Sequence, residues 1–183
     1  MTVETPQGLR LDALRDFFAA QVPDAVGPVT AELLHGGRSN LTYLVTDGHN
    51  RWVLRRPPLG GLTPSAHDMG REYRVTDALQ GTGVPVPRTV ALCEDLSVLG
   101  VPFSVVAHVD GVVLRTREDV AAHPAEDVER AAYGLVDALA ALHAVPYAEC
   151  GLADFGRPQG YLTRQVRRWR DQWTRVGTRE LKD

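Results

Sequence analysis

Leu41-Thr42-Tyr43-Leu44-Val45-Thr46, Asp47-Gly48-His49-Asn50 and Arg51-Trp52-Val53-Leu54-Arg55-Arg56 follow one another without a gap. The two flanking hexapeptides are rich in β-branched and aromatic residues, and the block between them is made of turn formers. That pattern predicts a β-hairpin over 41–56. On its N-terminal side, Val29–Leu34 is a further strand-like run that stops at Gly36-Gly37. Before it, Leu9, Leu11, Leu14, Phe17 and Phe18 set an apolar face on a helix over 9–21, ended near Pro23. On the C-terminal side, Pro57-Pro58-Leu59-Gly60-Gly61 breaks the sheet. A helix is expected from about Ala66 to Leu79, stopped by Gly81-Thr82-Gly83. Strands follow near Thr89–Cys93 and over Pro102–Val109, with a turn at Glu94-Asp95 between them.

Beyond Asp110-Gly111 the pattern changes. Asp127–His143 is alanine-rich with Val128, Leu135, Val136, Leu139 and Leu142 at helical spacing, and Pro158–Val176 reads as a second helix rich in Arg and Trp. The order is helix, three strands, helix, two strands, then helices only. A doubly wound parallel sheet needs helices between most strands, so the expected class is α+β: a mostly antiparallel sheet of about five strands with one inserted helix. The expected division is a sheet-bearing lobe over 1–109, a hinge and linker over 110–126, and the beginning of a helical lobe over 127–183.

Composition is that of an ordinary globular chain: 183 residues, 44% hydrophobic and 23% charged, which excludes disordered and collagen-like classes. No apolar run approaches the ~20 residues of a membrane span. The N-terminus lacks the basic and apolar regions of a secretory leader. Two cysteines, Cys93 and Cys150, lack metal-ligand spacing and suit a reducing cytoplasmic setting. The net charge of −3 is uneven, since residues 157–183 carry a local +5. That balance argues against a whole-surface affinity for nucleic acid. Of the 20 basic residues, Lys182 is the only lysine.

Three segments carry candidate chemistry. In His35-Gly36-Gly37-Arg38-Ser39-Asn40 the glycines permit close backbone approach to a ligand, and Ser39 and Asn40 add hydrogen-bonding groups; a plain hairpin turn needs glycine too. Seventeen residues after Arg55, on the next helix, comes Glu72. A cation on the third strand, oriented by a helix carboxylate and reaching nucleotide phosphates, is the protein-kinase arrangement, although an unrelated surface pair is the commoner reason for two such charges. The third segment, Phe103–Gly111, sits where a kinase joins its lobes, and its backbone can meet an adenine edge.

Together these segments resemble the aminoglycoside-phosphotransferase-like family, in particular the subgroup similar to the kinase-like domain of some acyl-CoA dehydrogenases. The resemblance rests on Gly36–Val45, Trp52–Pro58, Ser65–Tyr73, Gly83–Arg88, Val109-Asp110-Gly111 and Leu152–Pro158, in that order along nearly the whole chain. It implies a protein-kinase-like N-lobe followed by the first helices of an α-helical C-lobe. It also implies ATP with Mg²⁺ as cofactors, and transfer of the γ-phosphoryl group to a small-molecule hydroxyl. By the same resemblance Gly37, Ser39 and Asn40 fall in the nucleotide-covering loop, and Arg55 stands where kinases usually keep lysine. Glu72 is its partner, Val45 and Val53 are apolar walls, and Ala107, His108 and Val109 form the adenine-facing hinge. Arginine and lysine are not equivalent phosphate ligands, and no nearby lysine can substitute.

The family's catalytic aspartate belongs to a His-Gly-Asp-type loop, and these 183 residues contain none. His108-Val109-Asp110 has the outer spacing but lies in the hinge. Asp154-Phe155-Gly156 spells a kinase magnesium tripeptide without a catalytic loop upstream, so no metal ligand is assigned to it. The chain is therefore expected to be the N-terminal part of such an enzyme, inactive by itself. A non-catalytic nucleotide- or partner-binding module is the alternative. For the Arg/Trp helix, the expectation is that Trp169 and Trp173 pack on the lobe while the arginines stay solvated, the alternative being a grip on an anionic substrate or nucleic acid; in a truncated lobe the apolar side of this helix is exposed.

Overall fold

The computed structural model describes residues 6–34, 40–59 and 68–176. Five strands, β1 (Thr30–Leu33), β2 (Leu41–Thr46), β3 (Arg51–Arg56), β4 (Thr89–Cys93) and β5 (Phe103–Ala107), form one sheet in the order β1-β2-β3-β5-β4. Every neighbouring pair is antiparallel. The helices are α1 (Leu11–Gln21), α2 (Met69–Ala78), α3 (Leu96–Leu99), α4 (Arg117–Ala121), α5 (Ala125–Ala144) and α6 (Tyr161–Val176). This is the α+β architecture expected, with α2 inserted between the third and fourth strands.

The hairpin turn is set by Asp47. Its carboxylate accepts from the backbone N–H groups of His49 at 2.9 Å, Asn50 at 2.7 Å and, across the surface, Val26 at 2.9 Å. Gly48 supplies the positive φ of 90° that this tight connection requires. Burial opposes ionisation here, but the three backbone donors and the Asn50 side chain outweigh it and hold the carboxyl far below the usual carboxylate range.

Alternation along the hairpin sorts the two faces of the sheet. Tyr43, Val45, Trp52, Leu54 and Val105 turn to one side and are at most 1% exposed. Helix α1 closes that side with Leu11, Leu14 and Phe18. Phe18 stands edge-on to Trp52 at 5.2 Å between ring centroids, and Phe17 meets Phe103 at 5.0 Å. The N-terminal segment is tied to the same side: Tyr43 Oη donates to Gln7 O at 2.6 Å, and the buried Arg56 donates to Gly8 O and to Pro57 O.

Two short helices occupy stretches read from sequence as a turn and a linker. In α3, Asp95 accepts from Ser97 N at 2.8 Å and Gly100 ends the helix at φ 78°. In α4, Thr116 and Asp119 form a reciprocal capping box. The chain divides between Val145 and Pro146 into two compact units. The first holds the sheet and α1–α5. In the second, a wide turn over Ala148–Leu152 precedes α6. No helix among the described residues is long and apolar enough to cross a membrane. Neither α5 nor α6 contains a buried residue. Trp169 and Trp173 are 63% and 48% exposed, the condition expected for this helix when the rest of its lobe is absent.

Candidate functional site

The sheet face opposite α1 carries the site. In the ladder Arg55 stands between Thr42 on β2 and Ser104 on β5, and Val53 pairs with Val106. Helix α2 approaches this face near β4 and β5. Its start is fixed by Asp68, whose side chain accepts from Arg71 N at 2.9 Å. Met69, 1% exposed, anchors the first turn. One residue past that cap bond, Glu72 projects toward the sheet.

Arg55 Nε lies 3.0 Å from Glu72 Oε2, both side chains being a little under half exposed. The pairing inferred from a 17-residue separation is thus a direct contact. The other carboxylate oxygen is also engaged, because Asn40 Nδ2 donates to Glu72 Oε1 at 3.1 Å. Asn40 is 5% exposed, and its Oδ1 is a buried acceptor without a partner among the described residues. A buried acceptor without a donor costs about 1–3 kcal/mol.

A cavity of about 190 Å³ opens beside the pair, lined by Thr42, Val53, Arg55, Glu72, Tyr73, Thr76, Pro87, Ser104 and Val106. It lies below the ~300–1,000 Å³ of a typical whole-ligand pocket. It therefore has room for a single small group of a ligand and not for a whole one. Its lining mixes the hydroxyl-bearing Thr42, Thr76 and Ser104 with the apolar Val53 and Val106; the Thr76 hydroxyl donates to Glu72 O at 3.0 Å.

The structure sorts the sequence candidates. Val53, Arg55 and Glu72 meet at the cavity, with Asn40 bonded to Glu72. Val45 is placed elsewhere: it is fully buried on the α1 face, opposite Trp52 in the ladder, and walls the core instead of the cavity. A one-residue shift reverses faces in a strand, so Leu44 and Val53 share the site side. Ala107 is the last residue of β5 and His108 and Val109 follow it; none of the three lines the cavity. Ala107 N donates to Arg88 O at 2.8 Å and His108 N to Arg51 O at 3.1 Å, so both N–H groups serve the sheet. Asp110 is held back to β3 by Arg51 at 2.6 Å, whereas His108 Nδ1 stands 3.6 Å from it, beyond hydrogen-bonding reach. Gly37 and Ser39 lie outside the described residues.

Sequence reading missed Thr42, Tyr73, Thr76, Pro87, Ser104 and Val106. The signal for Thr42, Ser104 and Val106 was present in the period-2 alternation that passes through Arg55. Asp154-Phe155-Gly156 sits in the turn after Leu152, where Phe155 N donates to Leu152 O at 3.0 Å. No three His, Cys, Asp or Glu side chains converge as a metal site among the described residues.

Comparison with known proteins bears on the chain as a whole. Residues 30–183 match the phosphotransferase enzyme family. Acyl-CoA dehydrogenase family member 11 from Gallus gallus is 38% identical over 147 residues, covering 80% of this chain and 19% of that protein. Family member 10 from Mus musculus is 32% identical over 182 residues, covering 98% of this chain and 16% of its own length. A crystal structure from Ralstonia eutropha, provisionally assigned as an aminoglycoside phosphotransferase, superposes with a TM-score of 0.74 at 34% identity, over 92% of this chain and 48% of that one. The chain spans less than a fifth of these curated relatives' length and about half of the structural neighbour. With an antiparallel five-stranded lobe of kinase-like fold and the family match over most of its residues, this chain belongs to the phosphotransferase enzyme family.

Proposed function

We propose that this chain is the nucleotide-holding portion of an ATP-dependent phosphotransferase that moves the γ-phosphoryl group to a hydroxyl of a small molecule. The observation that carries the reading is the Arg55–Glu72 pair at the rim of the 190 Å³ cavity. Glu72 engages Nε, which leaves the terminal nitrogens of the guanidinium fork to donate to phosphate oxygens. Fixing the fork before the ligand arrives lowers the entropy lost on binding. Val53 and Val106 offer the apolar surface against which a base or ribose can lie. The N–H groups of Ala107 and His108 are already used, so Val109 is the hinge residue proposed to meet the base edge.

Catalysis of phosphoryl transfer is mostly positioning and charge stabilisation. These residues contribute the positioning of phosphate. The 183 residues include no His-Gly-Asp-type loop, so their proposed role is to bind nucleotide and not to activate the acceptor hydroxyl. Calorimetric titration with ATP tests the reading. Binding weakened about tenfold or more by Arg55→Ala, as expected for loss of a charge-assisted contact, supports it. An affinity indifferent to that substitution overturns it.

A further inference from the structure

Asn40 is expected from sequence to touch the nucleotide, but its amide is turned onto Glu72. Nδ2 donates to Glu72 Oε1 at 3.1 Å while Glu72 Oε2 meets Arg55 Nε at 3.0 Å. The carboxylate is therefore contacted at both oxygens, one by the residue just before β2 and one by the cation of β3. Asn40 itself is 5% exposed, whereas the Glu72 carboxylate it holds and the Arg55 guanidinium are each a little under half exposed. A carboxylate pinned at one oxygen by a neutral donor can still rotate. Pinned at both, it presents one fixed edge to the guanidinium, and the fork behind it acquires a fixed direction.

We propose that Asn40 is a positioning residue that reads nothing on the ligand itself and sets the orientation of Arg55 through Glu72. Resting on the nucleotide reading above, it names how the cation is tuned. Asn40 also stands at the end of the glycine-containing segment 35–39. Its backbone enters β2 directly, with Leu41 paired to Arg56 and Thr42 paired to Arg55. Any shift at this strand entry is thus passed to Glu72 by one hydrogen bond and to β3 by the ladder. The neutrality of Asn matters, because aspartate at the same place sets two carboxylates against each other.

The test is a set of affinities of the full chain for ATP and for adenosine, which has no phosphate. Wild type, Asn40→Ala, Asn40→Asp, Glu72→Ala and the Asn40→Ala/Glu72→Ala double variant are compared. Asn40→Ala is expected to weaken ATP about 3- to 10-fold, a fraction of what a hydrogen bond to a charged group is worth, and to leave adenosine unchanged. The near-isosteric Asn40→Asp is expected to weaken ATP further, again sparing adenosine. In the Glu72→Ala background the Asn40→Ala substitution is expected to add less than twofold, because its route to Arg55 is already cut. A full, additive loss in that background means that Asn40 touches the nucleotide directly and overturns the proposal. Equal losses for ATP and adenosine indicate a merely structural role and overturn it as well. An ATP affinity lowered by Arg55→Ala but not by either Asn40 variant removes the positioning role while sparing the nucleotide reading. Failure of the wild type to bind ATP at all removes both.

Discussion

Arg55 and Glu72, on β3 and on the first turn of α2, meet at 3.0 Å across the face of the sheet that α1 leaves free. The contact joins two elements that the sequence separates by the break at Pro57-Pro58 and a glycine-containing connection. It is half exposed, and pairs in that setting contribute about 0–1 kcal/mol to stability. Its value therefore lies in where it holds a guanidinium.

Arg55→Lys separates charge from geometry. Lysine restores the positive charge but neither the planar fork nor the Nε contact. We expect Arg55→Lys to recover only part of the ATP affinity lost in Arg55→Ala. Thermal midpoints of both variants should stay within a few degrees of wild type, consistent with a ΔΔG of about 1 kcal/mol or less. Calorimetric titration alongside a melting curve checks both. A melt lowered by more than 10 °C would assign the pair a structural duty instead.

The fold itself hangs on the opposite face. Trp52 is 1% exposed and meets Phe18 edge-on, so Trp52→Ala should remove about 3–5 kcal/mol of stability, read from urea unfolding. A loss below 1 kcal/mol would mean that α1 does not close the core as described.

Gly8 has φ 85°, and a Cβ there would stand 3.0 Å from both Leu59 Cδ2 and Tyr43 Oη. Those neighbours belong to the knot in which Tyr43 and the buried Arg56 hold the carbonyls of Gln7 and Gly8. Burial lowers the pKa of Arg56, and the nearby Tyr43 offsets part of that shift. Gly8→Ala should cost about 1–3 kcal/mol through backbone strain and crowding. Tyr43→Phe, which removes one hydrogen bond only, should cost about 1 kcal/mol. Equal stability of Gly8→Ala and wild type in urea would contradict this knot.

Asp47 gives a pH dependence of known sign. Its carboxyl is held below the ordinary value of about 3.9, so the folded chain keeps the charge to lower pH than the unfolded chain. The stabilisation is fully present above about pH 5 and drains away as pH falls through 4 and below. Asp47→Asn should be about 1–2 kcal/mol less stable at pH 7. The gap from wild type should narrow by pH 3, measured by urea unfolding at both. A gap that does not change with pH would locate the stabilisation in something other than the carboxylate charge.

How far the sequence was legible follows from the physics of each element. The hairpin over 41–56 was readable to the residue because turn chemistry and β-branched runs are local signals, and β2 and β3 begin and end where they predict. Helix α2 starts at Met69, later than expected, because Asp68 caps it there. The short α3 and α4 were missed although their signals stood in the chain, Asp95 with Gly100 and Thr116 with Asp119. A single turn of helix has too little periodicity to announce itself. In the site, the charge pair was suggested by the kinase arrangement of a third-strand cation with a helix carboxylate, and two separate surface charges were the commoner reading until both elements were in place. Val45 went to the wrong face because apolar character does not reveal which way a strand residue points; only the register does. Ser104 and Thr76 looked like ordinary polar residues until the sheet and α2 enclosed them. The bond from Asn40 to Glu72 spans 32 residues and could not be read from either segment alone.

The central claim is that Arg55, held by Glu72, grips phosphate. The most direct measurement is the ratio of ATP to adenosine affinity in the wild-type chain, by calorimetry at low and moderate salt. The account predicts that ATP binds at least about tenfold more tightly than adenosine, roughly one charge-assisted contact. That advantage should shrink as salt rises and disappear in Arg55→Ala. Equal affinities for ATP and adenosine, or an ATP preference that survives Arg55→Ala intact, would contradict it.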